Sequence, residues 1–312
     1  MRSCWVVMAR VLVTRQLTGT ALERLRATHA VDVWDGDLPP APAVLRERAA
    51  GCAGLLTMVT DRVDAALLDA APDLRVVAND AVGTDNIDLE TCAARGVAVG
   101  VTPDALTDAT ADLAFALILA GARNLIAGNA AVRDGSWRTW EPAGWLGHDV
   151  FGATLVLVGP GRIGEAVARR AAGFAMEIVR VGRHDDLHAA LARADVISLH
   201  CPLTPQTRHL IDAAALRCVK PTAVLVNTAR GGVVDQVALR EALVAGRLGA
   251  AALDVTDPEP LPPDDPLLDA PNLTVLPHIG SATHTARARM AEMAVENLLA
   301  GLDGRPLPHP AG

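Results

Sequence analysis

The segment that most limits how this chain can fold runs Leu155-Val156-Leu157-Val158-Gly159-Pro160-Gly161-Arg162-Ile163-Gly164. An apolar run the length of a buried strand meets glycines spaced G-x-G-x-x-G, and an alanine-rich helical pattern follows at once. In that setting the first glycine allows a tight turn and the second a close approach by a diphosphate. The third lets helix and strand pack closely. A helix start adds free N–H groups and the positive end of the helix dipole. Strand, turn and helix together predict an α/β fold with a dinucleotide phosphate site at Gly159, Gly161, Arg162, Ile163 and Gly164.

The rest of the chain repeats the alternation. Short β-branched runs at Val11–Thr14, Val31–Trp34, Leu55–Val59, Leu74–Ala78 and Val97–Val101 read as strands. Between them, Thr18 is expected to cap a helix holding Ala21, Leu22 and Leu25, and Asp35–Pro42 reads as a turn. Asp61 should open another helix with Asp64 in its first turn. A short helix Asp88–Arg95 should stop at Gly96, and a longer one should cover about residues 108–125. A Gly- and Trp-rich loop follows (Gly135, Trp137, Trp140, Trp145, Gly147), and then a second set of strands: Thr154–Val158, Ile178–Val181, Val196–His200, Ala223–Asn227, Ala250–Leu253 and Leu273–Leu276. Strands spaced by helices predict parallel sheets covered on both faces, here as two α/β domains in series. The 312 residues, 51% hydrophobic and 21% charged, suffice for that core.

Composition excludes several classes of function. A net charge of -8 with only 3% aromatics and no tyrosine opposes a nucleic-acid partner. The longest uncharged apolar run, Leu113–Ala122, is too short for a bilayer, so no membrane is expected. Cys4, Cys52, Cys92, Cys201 and Cys218 are scattered and never form a C-x-x-C pair, which predicts reduced thiols in a cytoplasmic protein and no metal site. Met8 directly precedes the first strand, so residues 1–7 read as an artefact of an upstream start.

Further signals sit at strand ends, where open α/β sheets bind ligands. In Asn227-Thr228-Ala229-Arg230-Gly231-Gly232 an arginine flanked by glycines can aim its planar fork at a carboxylate. Prolines on both sides stiffen Glu259 in Asp254-Val255-Thr256-Asp257-Pro258-Glu259-Pro260. His278 follows an apolar strand in Leu276-Pro277-His278-Ile279-Gly280. Together they supply an anion clamp, an orienting carboxylate and a proton donor.

At this point the chain resembles the D-isomer-specific 2-hydroxyacid dehydrogenases, and among them the bacterial glyoxylate/hydroxypyruvate reductases. The likeness runs from Met8 onward. It is carried by Ala81-Val82-Gly83-Thr84-Asp85-Asn86-Ile87-Asp88, Leu106-Thr107-Asp108-Ala109-Thr110-Ala111-Asp112-Leu113, the glycine turn, Cys201-Pro202-Leu203-Thr204 with Thr207, and the three strand-end segments. It implies two Rossmann-like or flavodoxin-like domains with the active site in the cleft between them. Residues 8–104 with 285–312 would form the substrate domain, and 105–284 the dinucleotide-binding domain.

The resemblance assigns Arg230 to the substrate carboxylate and carbonyl, His278 to acid/base work and Glu259 to orienting His278. It gives the Val82 and Gly83 amides to the carboxylate and Asp254 to the nicotinamide amide. Thr110, Cys201, Pro202, Thr207, Thr228, Ala229, His278 and Gly280 complete the expected cofactor contacts. The implied reaction is NAD(P)H-dependent reduction of a small 2-oxo acid such as glyoxylate or hydroxypyruvate, reversibly, by a homodimer joined through the long helix and the Trp-rich loop. The rivals are a phosphite or other small-anion dehydrogenase of the same fold, and a dinucleotide-sensing binding protein like the C-terminal binding protein corepressors.

Three departures stand out. Pro160 interrupts the glycine turn, Asp80 replaces a frequent aromatic, and the stretch from Arg183 to Asp195 is shorter than in relatives. After Ile178–Val181 come Gly182, Arg183 and His184, with no acid at the strand end. Arg183 suits a 2′-phosphate, so NADP(H) is the expected cofactor and NAD(H) the lesser one, served by Asp185 or Asp186.

Overall fold

The computed structural model describes residues 8–311, so residues 1–7, including Cys4, lie outside the described residues. The chain divides into two compact units, Met1–Leu106 with Ala282–Gly312, and Thr107–Ser281. In the first, β1 (Arg10–Val13), α1 (Ala21–Arg26), β2 (Ala30–Val33), α2 (Pro42–Ala49), β3 (Gly54–Thr57), α3 (Ala65–Ala70), β4 (Val76–Asn79), α4 (Leu89–Ala94) and β5 (Ala98–Gly100) alternate. Their five strands are all parallel, ordered β2-β1-β3-β4-β5. Successive side chains point to opposite faces. Leu12, Leu55 and Val77 therefore pack with Leu45, Leu67, Leu68 and Cys92 from α2, α3 and α4.

The second unit opens on α5 (Thr107–Ala122) and α6 (Leu125–Asp134). It continues through β6 (Thr154–Val158), α7 (Arg162–Ala172), β7 (Glu177–Val181), α8 (Leu187–Leu191), β8 (Val196–Leu199), α9 (Ala213–Cys218), β9 (Val224–Asn227), α10 (Gln236–Val244), β10 (Ala250–Leu253) and β11 (Leu273–Val275). Its six strands are parallel in the order β11-β10-β9-β8-β6-β7. Leu155 and Leu157 face α5 and α7, while Val156 and Val158 face α8, α9 and α10. Both faces are covered, which is why these strands read as unbroken apolar runs. The order reverses between β6 and β8, the place where such sheets bind ligands.

The chain returns to the first unit in α11 (His284–Leu302), capped by Thr283 Oγ1 accepting from Ala286 N at 3.1 Å. Ala291, Ala294, Val295, Leu298 and Leu302 close the other face of the first sheet over Val11, Val13, Leu56, Val76 and Ala78. Asn297, fully buried, donates to Val101 O at 3.0 Å and accepts from His309 N at 3.0 Å, tying helix, strand end and tail together.

Several local expectations are corrected. Thr18 caps nothing: α1 starts after Thr20 without a side-chain cap. Asp64, not Asp61, caps α3, accepting from Leu67 N at 3.0 Å. Asp61 turns inward instead, to the Thr14 hydroxyl and Met58 N–H. The Asp35–Pro42 turn ends one residue earlier, because Pro42 is already the first residue of α2, where its missing N–H costs nothing. The long helix breaks at Asn124, whose φ of 54° is a left-handed conformation that asparagine tolerates.

Around α6 and the following loop the second unit exposes much apolar surface: Leu125, Ile126, Val132, Trp137, Trp140, Leu146 and Phe151. No single helix among the described residues is long and apolar enough to cross a membrane.

Candidate active site

In the second unit the glycine turn joins β6 to α7. Gly159 has φ of 89°, and a Cβ there would lie 2.6 Å from the Cys201 nitrogen, so only glycine fits beside the end of β8. A Cβ on Gly164 would meet Gly159 O at 2.8 Å, whereas one on Gly161 meets nothing within 4 Å. The open side of the turn therefore lies at Gly161, directly before the first N–H groups of α7, and Arg162 and Ile163 begin that helix. This cradle fits a dinucleotide diphosphate. Beneath it His200 Nε2 bonds Ser198 Oγ at 2.8 Å, while its buried Nδ1 has no hydrogen-bond partner among the described residues. Burial pushes its imidazole down to about 4, so the ring is neutral at ordinary pH.

Beyond β7 the loop is tighter than the sequence conveyed. Asp185 folds back and its carboxylate accepts from Gly182 N at 2.7 Å, while Asp186 caps α8 by accepting from Ala189 N at 3.0 Å. A carboxylate thus stands at the strand end after all, beside Arg183 and His184, which are exposed. After β8, Thr207 Oγ1 donates to Pro202 O at 2.6 Å, a bond that shapes the loop. Burial pushes the Cys201 thiol up, and the side chain is an apolar wall.

The three strand-end segments converge through backbone packing. Asn227, the last residue of β9, donates to Arg230 O at 2.9 Å and accepts from Ala229 N at 3.0 Å, which fixes the arginine loop. A Cβ on Gly231 would lie 2.0 Å from the Thr256 carbonyl carbon, so glycine is what lets this loop touch the one carrying Glu259. Arg230 Nη1 donates to Ala229 O at 2.9 Å. Thr228 is buried, and among the described residues its hydroxyl has no hydrogen-bond partner.

Glu259 Oε1 is hydrogen-bonded to His278 Nδ1. The two side chains are 37% and 29% exposed, so the pair is reachable by a small molecule. His278 has φ of 54°, an uncommon conformation for histidine that the surrounding loop enforces. Its N–H donates to Asp254 O at 2.9 Å, and both Asp254 carboxylate oxygens accept from the next two amides, Ile279 N and Gly280 N, each at 2.7 Å. Burial pushes the Asp254 carboxyl up, and those two N–H groups oppose the shift. Thr110 Oγ1 donates to Gly280 O at 3.2 Å, anchoring the loop to α5. In the sequence Asn227 is only the first residue of its segment, and Asp254 is expected at the nicotinamide amide; that both also hold loops shows in the structure.

In the first unit, Val82 and Gly83 follow β4. Asn79 Nδ2 donates to Gly83 O at 2.9 Å, and Asn86 Nδ2 donates to Met58 O at 3.0 Å and Asp61 O at 2.8 Å. These asparagines hold the loop while, among the described residues, the Val82 and Gly83 N–H groups have no hydrogen-bond partner. Asp80 is pushed up to about 6 by burial, with Arg287 opposing the shift.

Residues 115–280 match the sequence profile described as D-isomer specific 2-hydroxyacid dehydrogenase, NAD binding domain. A glyoxylate reductase of Korarchaeum cryptofilum (strain OPF8) is 47% identical over 305 residues, covering 93% of this chain and 92% of that protein. A crystal structure of a Thermus thermophilus protein is 51% identical with a TM-score of 0.92, covering 97% of this chain and 100% of that one. An NADPH-dependent glyoxylate/hydroxypyruvate reductase from Sinorhizobium meliloti is 31% identical with a TM-score of 0.84, covering 97% and 98%.

Proposed function

Because the chain belongs to the D-isomer-specific 2-hydroxyacid dehydrogenases, and so is an NAD(P)-dependent oxidoreductase acting on 2-oxo acids, we propose that it reduces glyoxylate and hydroxypyruvate. The observation that carries this reading is the Glu259–His278 pair, held at a strand end by Asp254 and Gly280. Gly159, Gly161, Arg162, Ile163 and Gly164 hold the diphosphate of the cofactor. Gly182, Arg183 and His184 take the adenosine ribose, and Cys201, Pro202, Thr207, Thr228 and Ala229 line its path. Thr110, Asp254, His278 and Gly280 flank the nicotinamide. When bound, the reduced cofactor supplies a hydride to the carbonyl carbon.

Arg230 and the Val82 and Gly83 amides bind the substrate carboxylate, and the arginine also stabilises charge developing on the carbonyl oxygen. His278 gives that oxygen its proton, and Glu259 keeps the imidazole oriented through Nδ1. The test is initial rates on glyoxylate, hydroxypyruvate, pyruvate and phosphite with both cofactors. Turnover of phosphite alone overturns the reading. Arg230→Lys keeps the charge but loses the fork, so KM should rise and kcat fall; unchanged kinetics remove Arg230 from the site.

For the cofactor we propose NADP(H), with Arg183 paired to the 2′-phosphate. The Sinorhizobium meliloti relative, NADPH-dependent by its description, supports this. A second reading, NAD(H), is favoured by Asp185 on the Gly182 amide, where a carboxylate repels a 2′-phosphate and accepts from a ribose hydroxyl. The ratio of kcat/KM for NADPH to that for NADH, in wild type and Arg183→Ala, separates them. The proposal further includes a cytoplasmic homodimer, joined through the apolar surface around α6 and the Trp-rich loop. Scattered free thiols at Cys52, Cys92, Cys201 and Cys218 suit that compartment.

A further inference from the structure

At the carboxyl edge of the first unit's sheet stands a carboxylate with no structural duty. Asp80 directly follows β4, and its backbone N–H donates to Thr57 O at 2.8 Å. Its Oδ1 is sealed from solvent and lacks a hydrogen-bond partner among the described residues. Asp61, at the end of β3, also has a bare Oδ1, but its other oxygen ties Thr14 and Met58 together. Among the described residues no hydrogen bond or ion pair engages the Asp80 carboxylate. Arg287, on the first turn of α11, acts on it only through space.

A buried carboxylate without a donor is a standing cost. Oδ1 is sealed, so the oxygen a ligand donor can reach is Oδ2, which likewise makes no hydrogen bond among the described residues. The acceptor sits two residues before Val82, where the functional reading puts the substrate carboxylate. A 2-oxo acid of three carbons carries its carboxylate and its C3 substituent only a few bonds apart, a span that neighbouring residues 80–83 can serve together.

We propose that Asp80 is a specificity-determining residue that accepts a hydrogen bond from a donor on C3 of the substrate. The chain thereby selects 3-hydroxy-2-oxo acids over those with a bare or apolar C3, and disfavours a carboxylate at that carbon by repulsion. This inference rests on the reading of the site as a 2-oxo acid reductase.

The test measures kcat/KM for hydroxypyruvate relative to glyoxylate in wild type, Asp80→Asn and Asp80→Leu, with circular dichroism as the folding check. Asp80→Leu should lower the ratio about tenfold or more, since a group lacking its charged partner is strongly rejected. Asp80→Asn keeps an oxygen acceptor without charge, so the ratio should fall about three- to tenfold. Relative turnover of oxaloacetate should rise in both variants. If Asp80→Leu does not fold, the isosteric Asp80→Asn decides alone. A ratio within threefold of wild type in every folded variant overturns the inference and leaves the reductase reading intact. If wild type turns over neither 2-oxo acid with either cofactor, the reductase reading fails and this inference falls with it.

Discussion

The carboxyl edges of the two sheets are built on opposite plans. In the second unit charged and amide side chains at the strand ends are paired: Glu259 with His278, Asp254 with two amides and Asn227 within the arginine loop. Thr228 Oγ1 and His200 Nδ1 are left without a partner among the described residues. In the first unit asparagines fix the backbone, while among the described residues two amides and the Asp80 carboxylate have no hydrogen-bond partner. Preorganised side chains suit proton transfer and charge stabilisation, which tolerate little movement. Open backbone donors beside an unmatched acceptor suit recognition of a ligand that brings its own groups. On the proposed reading, one edge serves the chemistry and the other the choice of substrate.

The sharpest way to break this division is His278→Asn. The variant should lose about 10²–10⁴ in kcat, the usual worth of a positioned general acid. Dinucleotide affinity by fluorescence titration should stay close to wild type. If the rate survives within a few-fold, the second edge does not carry the proton transfer. Gly231→Ala comes next. A methyl group 2.0 Å from the Thr256 carbonyl carbon cannot be accommodated without separating the two loops. Overpacking of this kind costs about 1–3 kcal/mol or more, so thermal melting should drop by several degrees together with activity.

Asp80→Asn probes the first edge through stability. Burial raises the folded-state value from 3.8 to about 6, so the folded protein binds this proton more tightly than the unfolded chain. Stability from this group is full below 3.8 and is lost as pH rises through about 6. Removing the charge should therefore stabilise the protein by up to about 3 kcal/mol at pH 7 to 8. Near pH 3.5 the gain should vanish. Melting curves across that range check the sign, and equal effects at both ends would show that Asp80 is solvated. The smallest effect should come from Asp185→Asn. It should move the NADPH:NADH ratio of kcat/KM a few-fold toward NADPH, and no movement would free the Gly182 amide contact from any part in cofactor choice.

The same contrast explains what could be read without coordinates. Strands such as Thr154–Val158 and Ala250–Leu253 were legible to the residue, because burial on both faces demands continuous apolar side chains. Helices α8 and α9, short and weakly patterned, were not placed. Caps were harder still: Asp61 and Asp64 have the same chemistry, and only the turn of the backbone decides which one meets an N–H. At the site, Glu259 and His278 could be singled out because side chains at strand ends announce themselves. The open Val82 and Gly83 amides came only through resemblance, since a backbone donor leaves no mark in residue type. Asp185 and Asp186 are equivalent in the sequence as ribose ligands, and only the structure separates them, with Asp185 turned back onto the Gly182 amide and Asp186 capping α8.

The late arrival of α11 sets a timetable for the chain. Strands β1 to β5 emerge early, yet the apolar face of their sheet is covered by residues between Ala291 and Leu302. During synthesis the whole of Thr107–Ser281 is made before that cover exists. The second unit has all its strands and helices in one continuous stretch, so it can condense as soon as it leaves the ribosome. The first must wait with that face of its sheet covered only by Ala21, Leu22 and Leu25 of α1, a partly open species prone to aggregation. Its final contacts join residues near opposite ends of the chain, and closing so long a loop slows their formation. Chaperone demand should accordingly concentrate on the amino-terminal strands, even though the carboxyl-terminal helix is the missing part.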